Sequence, residues 1–419
     1  MKRIITCNDG TWNKPNTVDD GAGVMTNVEK IYKCITPSDR NGIQQLKFYD
    51  EGVGTGPGFW NKLVGGVTGA GIDKNIKDTY KFLMWNYEPG DEIYLFGFSR
   101  GAYTARSLGG LIRNCGILRP ENLHLVDEAY ELYRDRTILA HPNSDAMVSF
   151  RRQYSYNGNG ETQMRCIGVW DTVGALGIPL RFFQLSNKER YKFHDVTLSD
   201  WVKNAFHALA IDERRKTFSP TLWETSKTMP QDNRMEQVWF SGVHSNIGGG
   251  YKQNGLSDIT LEWMMKKTAQ LGLHFNRSNL KDDSAKAQEV CIRPIMKGYM
   301  RNSMSDFWLY RFLETAKWRI MFYKRDGEDP SKICLDRAGH KMQAHNTNEM
   351  LHASSYDRFN IHFDRRNSPF LDETINKFFE GNNIDTTVND QIDRQTSEKK
   401  NAGDELVQEV KVRRLKSRA

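Results

Sequence analysis

Three residues of this sequence have the types and surroundings that acyl transfer requires. Ser99 stands in Gly97-Phe98-Ser99-Arg100-Gly101, after the apolar run 93–96 and before a helix-compatible stretch containing Ala102 and Ala105. A Gly-x-Ser-x-Gly motif between a strand and a helix is a nucleophile elbow, in which the serine sits on a tight, strained turn with its hydroxyl exposed. Asp171 ends the apolar run 164–170, and His244 follows Gln237-Val238-Trp239-Phe240 in a glycine-rich stretch ending Gly248-Gly249-Gly250. A serine hydroxyl is a weak nucleophile until an imidazole takes its proton, and a carboxylate must hold that imidazole in one tautomer. Asp212 is the rival acid. Asp171, just past a strand, has the better position, and Asp212 is expected to pair with Arg214 or Arg215 or to cap a helix end.

The elements that must position these groups alternate along the chain. Residues 3–7 and 46–49 read as strands, 24–35 and 72–87 as helices, and 93–96 as the elbow strand. Residues 164–170 and 237–240 read as further strands, and 201–211 reads as a helix. Strands separated by helices predict a largely parallel sheet whose carboxyl edge gathers the functional residues. The fold class expected is therefore α/β, similar to an α/β-hydrolase, with helical insertions and a C-terminal accessory segment. After the first strand, Asp9-Gly10-Thr11-Trp12-Asn13 forms a turn. A loop there lends a backbone N–H to an oxyanion hole, beside the N–H of Arg100 after the nucleophile. Gly10 or Thr11 is the donor expected, and Asp9 either shares in the site or caps the turn. Asp-Gly-Thr after a strand also resembles the haloacid-dehalogenase phosphatases, but their nucleophilic aspartate would fall on Cys7.

Other chemistries find little support. The glycine-rich stretch 51–71 lacks the Gly-Lys-Ser/Thr of a phosphate-binding loop and any dinucleotide fingerprint, and reads as a loop carrying Phe59, Trp60 and Leu63 near the site. The six cysteines are scattered without paired spacing, which argues against a disulfide framework or zinc site, and no metal or cofactor is expected. A net charge of +7 without a recognised nucleic-acid module predicts no nucleic-acid partner. Charges interrupt every apolar run, and Met1-Lys2-Arg3 opens no secretory signal. Synthesis as a cytoplasmic protein is the expectation, with export only by a signal-independent machine.

The ordered motifs resemble one family, the class 1 type VI secretion lipase effector-like α/β-hydrolases, long catalogued as a domain of unknown function. The resemblance rests on residues 9–13, 90–106 and 169–174, on Ala210-Ile211-Asp212-Glu213-Arg214-Arg215, and on residues 239–251. It covers about residues 1–255, and implies a Ser99, Asp171 and His244 triad with esterase action on phospholipid acyl chains. It also implies a lipid substrate and an inhibitory immunity protein as partner. Where the family often carries aspartate after the His-Ser pair, this chain carries Asn246.

The domain organisation expected is a catalytic domain over 1–270 with an insertion near 120–160, a helical accessory or lid segment over 271–380, and a charged flexible tail over 381–419. Residues 256–271 read as an amphipathic helix, and the aromatic stretch from Ser305 through Trp318 and Phe322 as core or a lipid-facing surface. The cations Lys411, Arg413, Arg414, Lys416 and Arg418 predict contact with an anionic membrane surface or simple solubilisation. Two other functions compete with the phospholipase. One is a soluble esterase on a small or nucleotide-linked substrate, and the other a non-catalytic binding protein on a hydrolase scaffold.

Overall fold

The structure is a computed structural model of the 419-residue chain. It describes residues 1–10, 17–52, 68–158, 160–173, 197–215, 218–224 and 233–280, together with 292, 294–295, 299–301, 334–335, 341–342, 349–352, 354–355 and 384–385. The glycine-rich loop with Phe59 and Trp60, the aromatic stretch through Phe322 and the basic residues 411–418 lie outside these.

The first strand, β1 (Arg3–Asn8), leads through a small hairpin of β2 (Thr17–Asp19) and β3 (Ala22–Val24) into helix α1 (Asn27–Cys34). Thr26 caps α1 by accepting the Glu29 N–H, with Glu29 in the first turn and Lys33 in the last, the charge order that suits a helix dipole. Next come β4 (Gln45–Asp50), α2 (Thr68–Asn86), β5 (Glu92–Phe98) and α3 (Arg100–Cys115). Helices α4 (Val126–Arg134) and α5 (Asp145–Tyr154) precede β6 (Met164–Trp170), β7 (Ala205–Ala210) and β8 (Met235–Phe240). A short α6 (His244–Gly248) and α7 (Gly255–Gln270) follow. Beyond them lie a hairpin of β9 (Cys334–Leu335) and β10 (Lys341–Met342), then β11 (Glu349–His352) and β12 (Ile384–Asp385).

Eight of these strands form one sheet in the order β12-β11-β8-β7-β6-β5-β1-β4, and every neighbouring pair is parallel. The chain places β4 outside β1 and then returns to build β5 on the other side, so the winding reverses between β1 and β5. That reversal opens a crevice at the carboxyl edge, where doubly wound sheets bind ligands. Alternation along β5 serves both faces. Ile93 and Leu95 pack with α2, α3, α4 and α5, whereas Tyr94, Phe96 and Phe98 pack with α1 and α7. A sheet covered on both sides needs strands that are apolar at nearly every position, as β5 and β6 are, whereas β1 is buried throughout yet carries Arg3, Thr6 and Asn8.

The helix expected over 201–211 is in fact strand β7, Ala-Phe-His-Ala-Leu-Ala, buried at all six positions between β6 and β8. Alanine favours helix locally, and a strand covered on both faces has no alternating pattern to reveal it. Neighbouring strands override the local preference. In the expected insertion near 120–160, Val126, Ala129, Tyr130 and Met147 share the buried cluster of α3. Within the accessory segment expected to be helical over 271–380, the described residues contribute β9, β10 and β11, besides a short 3₁₀ turn at Arg277–Leu280. Strand β11 pairs with β8, and β12 from the expected tail pairs with β11, so the sheet runs past residue 270.

Candidate active site

Residues following β1, β5, β6 and β8 meet at the carboxyl edge because the register aligns the strand ends. Asn8 lies opposite Gly97, Phe98 opposite Trp170, Trp170 opposite Ala208, and Ala210 opposite Phe240. Ser99 directly follows β5, and its N–H still donates to the Trp170 carbonyl at 3.0 Å. Its φ of 58° and ψ of −119° lie outside the ordinary regions for an L-residue, a departure that costs about 1–3 kcal/mol. A serine starting a helix normally caps it, yet Ser99 makes no side-chain cap to α3. The turn requires its glycines. A Cβ on Gly97 would stand 2.2 Å from the Gly101 carbonyl oxygen, and one on Gly101 would stand 2.1 Å from that of Asn8.

His244 opens α6 immediately after β8. Its Nε2 lies 2.8 Å from Ser99 Oγ, and its Nδ1 lies 2.5 Å from Asp171 Oδ2. Asp171 is fully buried with φ at 41°, and its other oxygen accepts the Ala210 N–H at 3.0 Å. The next residue, Thr172, donates its N–H to His207 Nε2 at 3.1 Å, while His207 Nδ1 faces Gln237 Oε1 at 3.1 Å. These contacts pin the turn that aims the Asp171 carboxylate. Burial lowers the pKa of His244 from the usual histidine value, and the hydrogen bond and charge of Asp171 oppose that without overcoming it. The imidazole therefore favours its neutral form, whose Nε2 accepts a proton from Ser99 while Nδ1–H donates to Asp171.

Around the imidazole, Phe98 lies over one face at 4.6 Å between ring centroids, and Phe218 meets it edge-on at 4.8 Å and 80°. The far end of α6 is held by the Asn27 side chain and Thr260 Oγ1, both of which donate to the Ile247 carbonyl. Asn246, the departure noted in the sequence, caps α6. Its Oδ1 accepts the Val243 N–H at 3.3 Å, and its Nδ2 donates to the Tyr299 carbonyl at 3.3 Å. It acts on the backbone of the short helix, and an amide can do what a carboxylate cannot, donating as well as accepting.

The acid alternative, Asp212, accepts the Gly242 N–H at 2.7 Å and donates its own N–H to the Gly242 carbonyl, tying β7 to the turn before His244. Arg215 has its bidentate partner in Glu213. Asp9 is buried beside the elbow and accepts from Thr26 Oγ1 at 2.5 Å, Tyr49 OH at 2.7 Å and the Gly10 N–H at 2.6 Å. Burial raises the Asp9 carboxyl to about 6 despite those donors. Gly10, a candidate oxyanion donor, thus gives its N–H to Asp9, and Thr11 lies outside the described residues. Arg100 is the first residue of α3 and directly follows Ser99. Among the described residues, no group of three or more His, Cys, Asp or Glu side chains is arranged to hold a metal ion.

Sequence reasoning did not anticipate a part for Glu213, Phe218 or His207. Glu213 and Arg215 stood in a motif already noticed, and their spacing of two was the available signal. Phe98 and Phe218 carried none, since an aromatic beside a catalytic-type histidine looks like any core residue.

The all-parallel sheet, the elbow and the strand-end histidine define an α/β-hydrolase-type protein. Residues 2–267 match the catalytic-domain model of the Tle1-like phospholipase effectors of the type VI secretion system, and the chain belongs to that family. A curated relative, the uncharacterized protein YEL023C of Saccharomyces cerevisiae, is 28% identical over 250 residues. The match takes in 55% of this chain and 34% of the yeast protein, so the chain spans about a third of that relative's length. Among solved structures, an uncharacterized protein from Pseudomonas aeruginosa is 17% identical with a TM-score of 0.40, over 66% of this chain and 46% of that one. The Tle1 effector bound to the VgrG spike is 21% identical with a TM-score of 0.34, over 60% of this chain and 51% of its own. No helix among the described residues is long and apolar enough to cross a membrane.

Proposed function

We propose that this chain hydrolyses carboxylic esters of phospholipids through an acyl-enzyme on Ser99. The observation carrying this reading is the contact chain Ser99 Oγ to His244 Nε2 to Nδ1 to Asp171 Oδ2, at 2.8 and 2.5 Å, on a strained elbow. His244 takes the Ser99 proton as Oγ attacks the ester carbonyl, and the resulting oxyanion takes hydrogen bonds from backbone N–H groups. Arg100 supplies one donor. Thr11 is the better candidate for the second, because the Gly10 N–H is engaged by Asp9. His244 then returns the proton to the leaving alcohol, and a water molecule repeats the sequence to free the fatty acid and restore Ser99. Asp171 stays ionised throughout and stabilises the imidazolium. No step calls for a metal or cofactor.

Membership of a phospholipase effector family supports the lipid substrate, and with it a membrane surface as the site of action. Delivery by a type VI secretion machine and restraint by an immunity protein are further proposals of the same origin. The test is labelling by a fluorophosphonate, followed by fatty-acid release from phosphatidylcholine vesicles compared with p-nitrophenyl butyrate. The proposal expects labelling at Ser99, lost in Ser99→Ala, and preference for vesicles. Unlabelled wild-type protein would sink the serine mechanism; labelled protein that cleaves only the soluble ester would sink the lipid assignment.

A further inference from the structure

A general base must keep one orientation while its charge changes, and the stretch after β7 is built against His244. Glu213 is fully buried. Its Oε1 accepts the Arg215 backbone N–H and Nε–H, both at 2.9 Å, and its Oε2 accepts Arg215 Nη2 at 2.9 Å. The same Oε2 accepts the backbone N–H of His244 at 3.2 Å. The Arg215 guanidinium lies 3.5 Å from the centroid of Phe218, whose ring stands edge-on to the His244 imidazole. One carboxylate thus holds the backbone of the histidine, while the cation it neutralises presses on the aromatic that walls the ring.

From this arrangement we propose that Glu213, Arg215 and Phe218 form a positioning unit for His244, fixing the approach of Nε2 to Ser99 and balancing the charge beside the imidazole. The proposal rests on His244 acting as the general base. It gives a part to Glu213 and Arg215 of the Asp212-Glu213-Arg214-Arg215 run, two charged residues that the triad leaves unused. A brace that only stabilised the loop would need no charged pair stacked against an aromatic that touches the base. The charged groups bearing on the imidazole are Asp171 and Glu213, which favour its protonated form, and Arg215, which disfavours it.

Opposite charges give opposite signatures. The measurement is the rate of fluorophosphonate labelling at Ser99 against pH, in wild type, Glu213→Gln, Arg215→Gln and Phe218→Leu, with folding checked by circular dichroism. Glu213→Gln should slow labelling by about ten- to a hundredfold, the cost of a small misplacement. It should also move the acid limb of the profile to lower pH, because the Arg215 cation then opposes protonation of His244 unbalanced. Arg215→Gln should move that limb to higher pH, because the unbalanced Glu213 carboxylate favours the imidazolium. Phe218→Leu keeps both charges and should slow labelling with the limb unmoved. If Glu213→Gln does not fold, the Arg215→Gln shift and the Phe218→Leu rate decide the matter. Folded variants that label at the wild-type rate, or charge variants whose limbs move the same way, would overturn the positioning unit alone. A wild-type protein that does not label would overturn the serine mechanism and this unit together.

Discussion

Asp171 and Asp258 are both fully buried, and each holds a basic nitrogen at close range, yet they sit in unlike parts of the molecule. Asp171 reaches His244 Nδ1 at 2.5 Å on the carboxyl edge of the sheet; Asp258 reaches Lys30 Nζ at 2.6 Å between α7 and α1. Burial and pair distance do not separate them. What separates them is the basic partner and what lies beyond it. An imidazole changes charge near neutral pH and has a second nitrogen, which here faces Ser99; an ammonium titrates far higher and has one. The His244 imidazole has a nitrogen left to face Ser99 while Asp171 holds the other, whereas the Lys30 pair links two helices.

Ser99→Ala should give the largest effect, because it leaves the Asp171–His244 pair with nothing to activate. Ester turnover should fall by roughly 10⁵-fold or more, as when a triad nucleophile is removed, while the thermal unfolding midpoint stays close to wild type. Turnover within tenfold of wild type would detach the pair from any catalytic part. Asp171→Asn comes next. It keeps the shape but favours the wrong imidazole tautomer, at a cost of about 10⁴-fold in kcat, and Asp212→Asn should change stability more than kcat. The opposite ranking would transfer the acid to Asp212.

Asp258→Asn should behave in the reverse manner. Leaving Lys30 buried without its charge partner should cost about 3–5 kcal/mol of stability, read by urea unfolding, with kcat of the folded protein unchanged. The double change Lys30→Met with Asp258→Leu should recover most of that loss, since well-packed apolar residues often replace a buried pair without penalty. A large fall in kcat with Asp258→Asn would erase the distinction between the two pairs. The smallest effect concerns pH. With His244 as the proposed base, only its neutral form accepts the Ser99 proton, so kcat/KM should rise with pH along an acid limb. Its midpoint should lie below the ordinary histidine value of about 6.5, because burial lowers the pKa of this group. A midpoint above that value would mean that Asp171 outweighs burial.

Legibility in the sequence followed local constraint. Gly97, Ser99 and Gly101 announced the elbow because a turn this tight admits few residues, and the apolar runs before Asp171 and His244 announced their strands. Strand β7 was hidden, because Ala205, Ala208 and Ala210 leave no pattern to distinguish a doubly covered strand from a helix. Strand β11 was hidden for another reason: four residues contain too little periodicity, and their place beside β8 is decided by a contact distant in sequence. Asp9 showed a mixed outcome. Its turn runs into residues outside those described, and its grip on the Gly10 N–H stands beside contacts from Thr26 and Tyr49, which no spacing connects to it.

The pairing of β11 with β8 bears on how the molecule is made. During synthesis from the amino end, the strand that leads to His244 emerges with one edge satisfied by β7 and the other bare, since Glu349, Met350 and Leu351 have not yet been added. At roughly 5–20 residues per second, the wait is on the order of ten seconds. For that interval Gln237, Val238 and Trp239 present an unpaired strand edge, the kind of surface that recruits other chains. A chain stopped after residue 270 would hold every residue of the Ser99, Asp171 and His244 constellation and still keep that edge open, so its hazard would be aggregation before chemistry.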